Sequence, residues 1–292
     1  MNQRKNIKKI GALFLLSFLL FAFFSCGEAK TSSEPSSPAE ASGTSASEIA
    51  TEEAPTEEET LALPAYKGGH SLALPEKEEA CESFTVVIDA GHGQRDPGNL
   101  AGEIKEADIN LALSLRLASM LSEMGYRVLL TRDDDSAMLG ADPYYDTDKE
   151  AEARRKWAAA ENADLYISIH CNAASDENAR GVRLFYNSRP VTVFEGRPLA
   201  GCYQRALNTE FASEIKAGTN PEVKHNHVNG MEEDIYIVLQ DVRLPALLIE
   251  IGFMTNESDL ALLLNDDYLW EYAHALAVGT DEARKNVLSS EK

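Results

Sequence analysis

From about residue 84 onward, apolar positions recur in two alternating rhythms. "TVVID" (85–89) is a short, continuous apolar run, the signature of a buried strand. Ile109, Leu113, Leu117, Leu121 and Met124 then return every three or four residues and predict an amphipathic helix that stops at Gly125. "YRVLLT" (126–131) predicts a strand, "DTDKEAEARRKWAAAENA" (146–163) a charged, Ala-rich helix, and "DLYISIH" (164–170) and "GVRLFY" (181–186) two further strands. A helix is expected over 199–216, strands over 235–239 and 245–250, and a helical stretch over 257–284 broken near Asn265.

Strands separated by helices, with apolar runs suited to burial on both faces, predict an α/β domain around a mostly parallel sheet. Ligand sites in such folds lie at the carboxyl ends of the strands. His92 follows the first strand, His170 ends the third and Glu250 ends the last, so three metal- or proton-competent groups are expected on one sheet edge.

The first quarter of the chain follows other rules. Residues 1–25 carry four positive charges and then an apolar run from Ile10 to Phe24, the layout of an export signal. Ser25, Cys26 and Gly27 end it in a way that resembles a bacterial lipoprotein signal, with Cys26 as the lipidated residue, although Phe23 stands where a small aliphatic is usual. An uncleaved membrane anchor is the alternative, and either implies an exported protein of the cell envelope, in the periplasm or at the cell surface. Residues 27–82 are Ser, Thr, Ala, Pro and Glu with little to bury, and from Glu28 to Glu82 there are 13 Glu against 3 Lys. Such a segment does not offset its ordering entropy and is expected to be a disordered tether spanning ~40 Å as a coil.

The remainder forms one domain, about 83–285, with a short tail over 286–292. The whole chain has a net charge of −21, which leaves −15 for this part once the leader (+4) and the tether (−10) are set aside. That balance excludes a nucleic-acid binder driven by phosphate contacts. Cys81, Cys171 and Cys202 are an odd set with no disulfide framework; a Cys81–Cys202 bridge would suit an exported protein but has no support from spacing.

A hydrolytic zinc site needs three protein ligands, an open position and usually a nearby carboxylate as base. His92 and His170 supply two imidazoles. Either Glu103 or Glu106 could be the third ligand, at a helix start where a carboxylate is also favoured by the dipole alone.

"IDAGHG", "KEADINLAL", "DLYISIHCNA" and "LPALLIEIGFMTN" resemble, in order and spacing, the four signature segments of the zinc-dependent N-acetylmuramoyl-L-alanine amidases, over about residues 84–281. The resemblance implies a six-stranded sheet flanked by helices, with zinc ligands at His92, Glu106 and His170 and a catalytic glutamate at Glu250. It also implies cleavage of the amide joining the lactyl group of N-acetylmuramic acid to L-alanine in peptidoglycan. Gly91 and Gly93 are expected to let the chain turn so that His92 faces the metal, and Asp89 to support a ligand or the turn. Gln94 departs from the family, where a second glycine commonly follows "GHG", and Cys171 should point into the core. His225 and His227 read as solvated loop residues, and the stretch 187–234 as a border or gate of the substrate groove. A non-catalytic peptidoglycan binder and another zinc hydrolase of cell-wall peptides are the competing functions, and a protein activator stays open.

Overall fold

The computed structural model describes residues 63–65, 73–140, 144–186, 196–211, 228–233, 236–240 and 244–288. The leader, Cys26, most of the acidic segment, His225, His227 and the last four residues lie outside them.

A six-stranded sheet organises the domain. Its strands are β1 (Thr85–Ala90), β4 (Arg127–Leu130), β5 (Leu165–Asn172), β6 (Val182–Tyr186), β7 (Val228–Glu233) and β8 (Ala246–Phe253). A separate two-stranded ribbon joins β2 (Leu100–Ala101) to β3 (Ile104–Lys105). The main order is β4-β1-β5-β8-β6-β7; every neighbouring pair is parallel except β6 with β8. The mostly parallel α/β architecture is therefore as the periodicity predicts.

Each face buries its own apolar set. On one face lie α2 (Glu106–Glu123), α4 (Gly196–Glu210) and α6 (Asp266–Asn286), whose Leu113, Leu117, Leu121, Tyr203 and Leu276 are fully buried. On the other, α3 (Thr147–Ala160) and a single 3-10 turn at Ile237–Leu239 cover Val87, Tyr166, Phe185 and Leu248. Asp146 caps α3 by accepting from the backbone N–H groups of Asp148 and Lys149 at 3.0 and 3.1 Å. Asn265 caps α6 through Tyr268 N–H, and so breaks the C-terminal helical stretch into α5 (Glu257–Leu263) and α6.

Three expectations change. The strand expected at 235–239 is the 3-10 turn: three apolar residues bury as well in one turn as in a strand, and length alone does not separate them. The sixth strand is β7 instead. The domain also begins before residue 83. Cys81, on α1 (Glu79–Glu82), is a core residue, Leu63 and Leu74 pack against the same core, and Glu78 pairs with Arg284 at 2.8 Å and Lys285 at 2.6 Å. Nor is the end at 285, since α6 runs to Asn286 and Leu288 is buried. Cys81, Cys171 and Cys202 are separate buried thiols, so Cys81 and Cys202 do not bridge.

Candidate active site

Period-two alternation along the strands decides what reaches the site. Asp89, Ser168, His170 and Glu250 share the face of Val87, Tyr166 and Leu248, on the side of α3. His170 and Glu250 are register partners on adjacent parallel strands. Cys171 points the other way and is buried in the opposite core, as the alternation predicts.

His92 arrives from the turn after β1. Its own φ is 64°, followed by 127° at Gly93 and 53° at Gln94, so the chain holds a histidine and a glutamine in the left-handed region. Each non-glycine residue there costs about 1–3 kcal/mol and persists only where its surroundings fix it. Arg132 does much of the fixing: its buried guanidinium donates to the carbonyls of Ala90 (2.9 Å), Gly91 (3.0 Å) and Ala107 (2.8 Å). Gly93 has the positive φ expected of a turn glycine, but Gly91 serves differently. A Cβ at Gly91 would lie 2.3 Å from two ring atoms of His170, so the missing side chain makes room for that imidazole.

Glu106 opens α2 and is 1% exposed. Its Oε2 accepts from Asn99 N (2.9 Å) and Nδ2 (2.7 Å), and its Oε1 from Cys171 N (2.9 Å). Of the two glutamates the sequence left open, the structure brings Glu106 to the histidines. His92 Nε2, His170 Nδ1 and Glu106 Oε1 form a triangle with all three edges at 3.1 Å.

The protons follow from these contacts. Although burial disfavours charge on His92, hydrogen bonds with Asp96 and Glu106 outweigh it and raise its pKa to about 9. Burial likewise opposes ionisation of Glu106, and the two imidazoles hold it far below the ordinary carboxylate range. Glu250 goes the other way: burial pushes it up to about 7, against the pull of His170. Its Oε2 is buried with no hydrogen-bond partner among the described residues.

Asp89 is fully buried and accepts from Thr131 Oγ1 (2.8 Å) and Ser168 Oγ (2.7 Å), with Arg154 Nε 2.7 Å away. It braces strands and α3; the carboxylate that meets a site histidine is Asp96, whose Oδ2 is 2.7 Å from His92 Nδ1. The sequence reading missed Asp96, although an acid four residues past His92 in a glycine-rich turn was a readable signal. Asn99 and Arg132 were also missed, and nothing in their spacing marks them; so was Asn110, four residues after Glu106 on α2, whose Nδ2 donates to Glu106 Oε1 at 3.3 Å and to the Gly91 carbonyl at 3.2 Å.

A cavity of about 390 Å³ opens over the site. His92, Asp96, His170 and Glu250 form its polar wall, and Ala151, Tyr236, Ile237, Val238 and Leu248 an apolar one. The helix carried by the stretch 187–234, α4, packs on the opposite face against α6, where Tyr203 hydroxyl meets Thr280 Oγ1 at 2.8 Å. Among the described residues, none of that stretch lines the cavity.

Known proteins resemble this chain in sequence and in fold. The N-acetylmuramoyl-L-alanine amidase family pattern matches residues 86–282. YqiI of Bacillus subtilis is 30% identical over 203 residues, which cover 70% of this chain and 86% of that protein. The germination-specific N-acetylmuramoyl-L-alanine amidase of the same species is 29% identical, covering 66% of this chain and 77% of its own length. Among solved structures, the CwlD amidase of Clostridioides difficile, determined in complex with the GerS lipoprotein, superposes with a TM-score of 0.58 at 30% identity, over 70% of this chain and 99% of that one. The chain belongs to the N-acetylmuramoyl-L-alanine amidase family and is an amidase of that class.

Proposed function

We propose that this chain hydrolyses the amide between the lactyl group of N-acetylmuramic acid and L-alanine in peptidoglycan, with zinc held by His92, Glu106 and His170 and with Glu250 as the proton carrier. The observation that carries this reading is the triangle of donor atoms with Glu250 in register beside it. Two neutral imidazoles and a carboxylate are the donor set of a hydrolytic zinc site, and tetrahedral zinc at its usual bond lengths needs ligand atoms ~3.3 Å apart. Edges of 3.1 Å fit that requirement.

Zinc, when bound there, supplies Lewis acidity towards the amide carbonyl and lowers the pKa of water to roughly 7. The residues supply the rest. Asp96 accepts the Nδ1 proton of His92 and leaves the Nε2 lone pair for the ion. Asn99 and the Cys171 N–H hold the Glu106 carboxylate so that it does not swing away. Glu250 takes a proton from the attacking water and delivers it to the L-alanine nitrogen as the C–N bond breaks. A carboxylate lifted to about 7 suits both directions of transfer.

Export through residues 1–25, lipidation at Cys26 and a tether in the acidic stretch that follows complete the reading, on the composition of those segments. They put the domain at the envelope beside its substrate, anchored to the membrane. A lipoprotein partner or activator is in keeping with the complex described for the Clostridioides relative. Mass spectrometry of digested peptidoglycan tests the proposal. Free stem peptides beginning at L-alanine support it, whereas cleaved cross-links, lost acetyl groups or an absence of products each reject it.

A further inference from the structure

The apolar wall of the cavity has one member that the chemistry above does not use. Tyr236 is one of four large hydrophobic side chains exposed among the described residues, and the one of those four that lines the cavity. It is 37% exposed, yet it is not loose. Its ring stands at 72° to Phe185, centroids 4.8 Å apart, and Phe185 is 3% exposed in the core. The turn that follows is pinned by buried Val238 and Leu239. A rigid aromatic surface is thus kept at the mouth of the cavity, where burying it in the core would be more stable.

The surroundings of Tyr236 select its occupant. Asp148 and Asp96 line the same cavity, with Glu250 on the polar wall, so a carboxylate-bearing peptide entering here would meet like charge. The cation in the lining, Arg154, is 5% exposed and already faces Asp89 at 2.7 Å and Glu150 at 3.6 Å. An extended peptide could pair with a sheet edge, but the edges are β4 and β7, whereas the cavity lies over β5 and β8. A neutral ring with an apolar C–H face and hydroxyl groups meets every condition: it stacks on Tyr236 and donates to Thr147 and Asp148, both exposed at the start of α3.

The geometry points to Tyr236 as the platform for the N-acetylated sugar ring on the acyl side of the scissile amide, with Thr147 and Asp148 receiving its hydroxyls. This rests on the amidase reading and assigns the glycan side of the substrate to the α3 and Tyr236 end of the cavity.

The test compares two substrates, an N-acetylmuramoyl-L-alanyl peptide and the sugar-free lactoyl-L-alanyl peptide with the same scissile bond, on wild type, Tyr236→Ala and Tyr236→Phe. Tyr236→Ala should raise KM about three- to tenfold on the sugar substrate with kcat little changed, as expected for the loss of one aromatic contact. It should match wild type on the sugar-free one, which also controls for folding, and Tyr236→Phe should keep the wild-type KM. Equal loss on both substrates, or no change on the sugar substrate, overturns the assignment. NMR titration with the methyl amide of N-acetylmuramic acid, which carries no carboxylate, decides the subsite independently of turnover: shifts that vanish in Tyr236→Ala support it, and unchanged shifts refute it. A wild type that releases no L-alanyl peptide from either substrate rejects the amidase reading, while the titration still decides the subsite.

Discussion

Replacing Gly91 with alanine adds one methyl group at the tightest point of the site. The new Cβ would lie 2.3 Å from Cε1 and Nε2 of His170 and 2.6 Å from Nδ1, against 3.4 Å for an ordinary contact, so about 1 Å must open. The backbone does not open it easily, because Gly91 N–H donates to Ile169 C=O at 3.0 Å and Arg132 holds the Gly91 carbonyl. The imidazole must therefore move, and with it Nδ1 leaves the 3.1 Å triangle. No left-handed φ is involved at Gly91, so the effect is steric. Overpacking of this kind costs about 1–3 kcal/mol in stability, and a 1 Å misplacement about 10²-fold in rate. Elemental analysis of purified Gly91→Ala, with kcat/KM on muropeptides and the urea midpoint, should show reduced zinc, activity down at least that far and a folded protein. Full metal content and unchanged kcat/KM would refute the steric argument.

Four further outcomes are expected. Glu250→Gln should retain zinc and lose about 10²–10⁴-fold in kcat; in wild type kcat/KM should rise with pH along a limb at or below about 7, since a bound cation pulls the carboxyl down, and the variant should lack that limb. Asp96→Asn should weaken zinc binding about 10–100-fold in a competition titration without unfolding the domain. Zinc uptake near pH 7.5 should release about one proton, measured by calorimetry in buffers of different ionisation enthalpy, because His92 titrates at about 9 without metal; by the same raised value, the metal-free protein should be most stabilised below about 6.5 and lose that share as pH climbs through 9. Arg284→Met should cost about 1–3 kcal/mol in urea denaturation, because the buried Tyr126 hydroxyl and Asp281 lose a partner while Asp281 keeps Lys285 at 2.8 Å, whereas Glu78→Ala, removing a partner at the rim of the same cluster, should shift the urea midpoint less than Arg284→Met does.

Periodicity made most of this molecule legible. The repeat from Ile109 to Met124 fixes α2, and strand alternation sorts His170 from Cys171 without any tertiary information. The strand-end rule brought His92, His170 and Glu250 together, although His170 and Glu250 lie within strands that run on for two or three residues. What stayed hidden depends on contacts between distant segments. Arg132 looks like any arginine after a strand, and only the fold shows its guanidinium on four backbone carbonyls. Asp89 lies three residues before His92 and Asp96 four after it, but a strand residue and a turn residue face different neighbours, so Asp96 meets the imidazole while Asp89 meets Thr131 and Ser168. Leu74 and Glu78 sit in a compositionally disordered stretch, and their burial or pairing comes from α6 and its neighbours.

The docking of residues 73–82 bears on mechanics. The leading chain enters the domain beside α6, where Ala73 C=O meets His274 Nε2 at 3.1 Å, and the cavity lies across the sheet on the side of α3. Tension on the preceding chain is taken first by Leu63, then by Leu74 and the Glu78 ion pairs, all of which precede β1 and the strands that carry His170 and Glu250. A pull on that end of the domain is thus borne on the face away from the cavity.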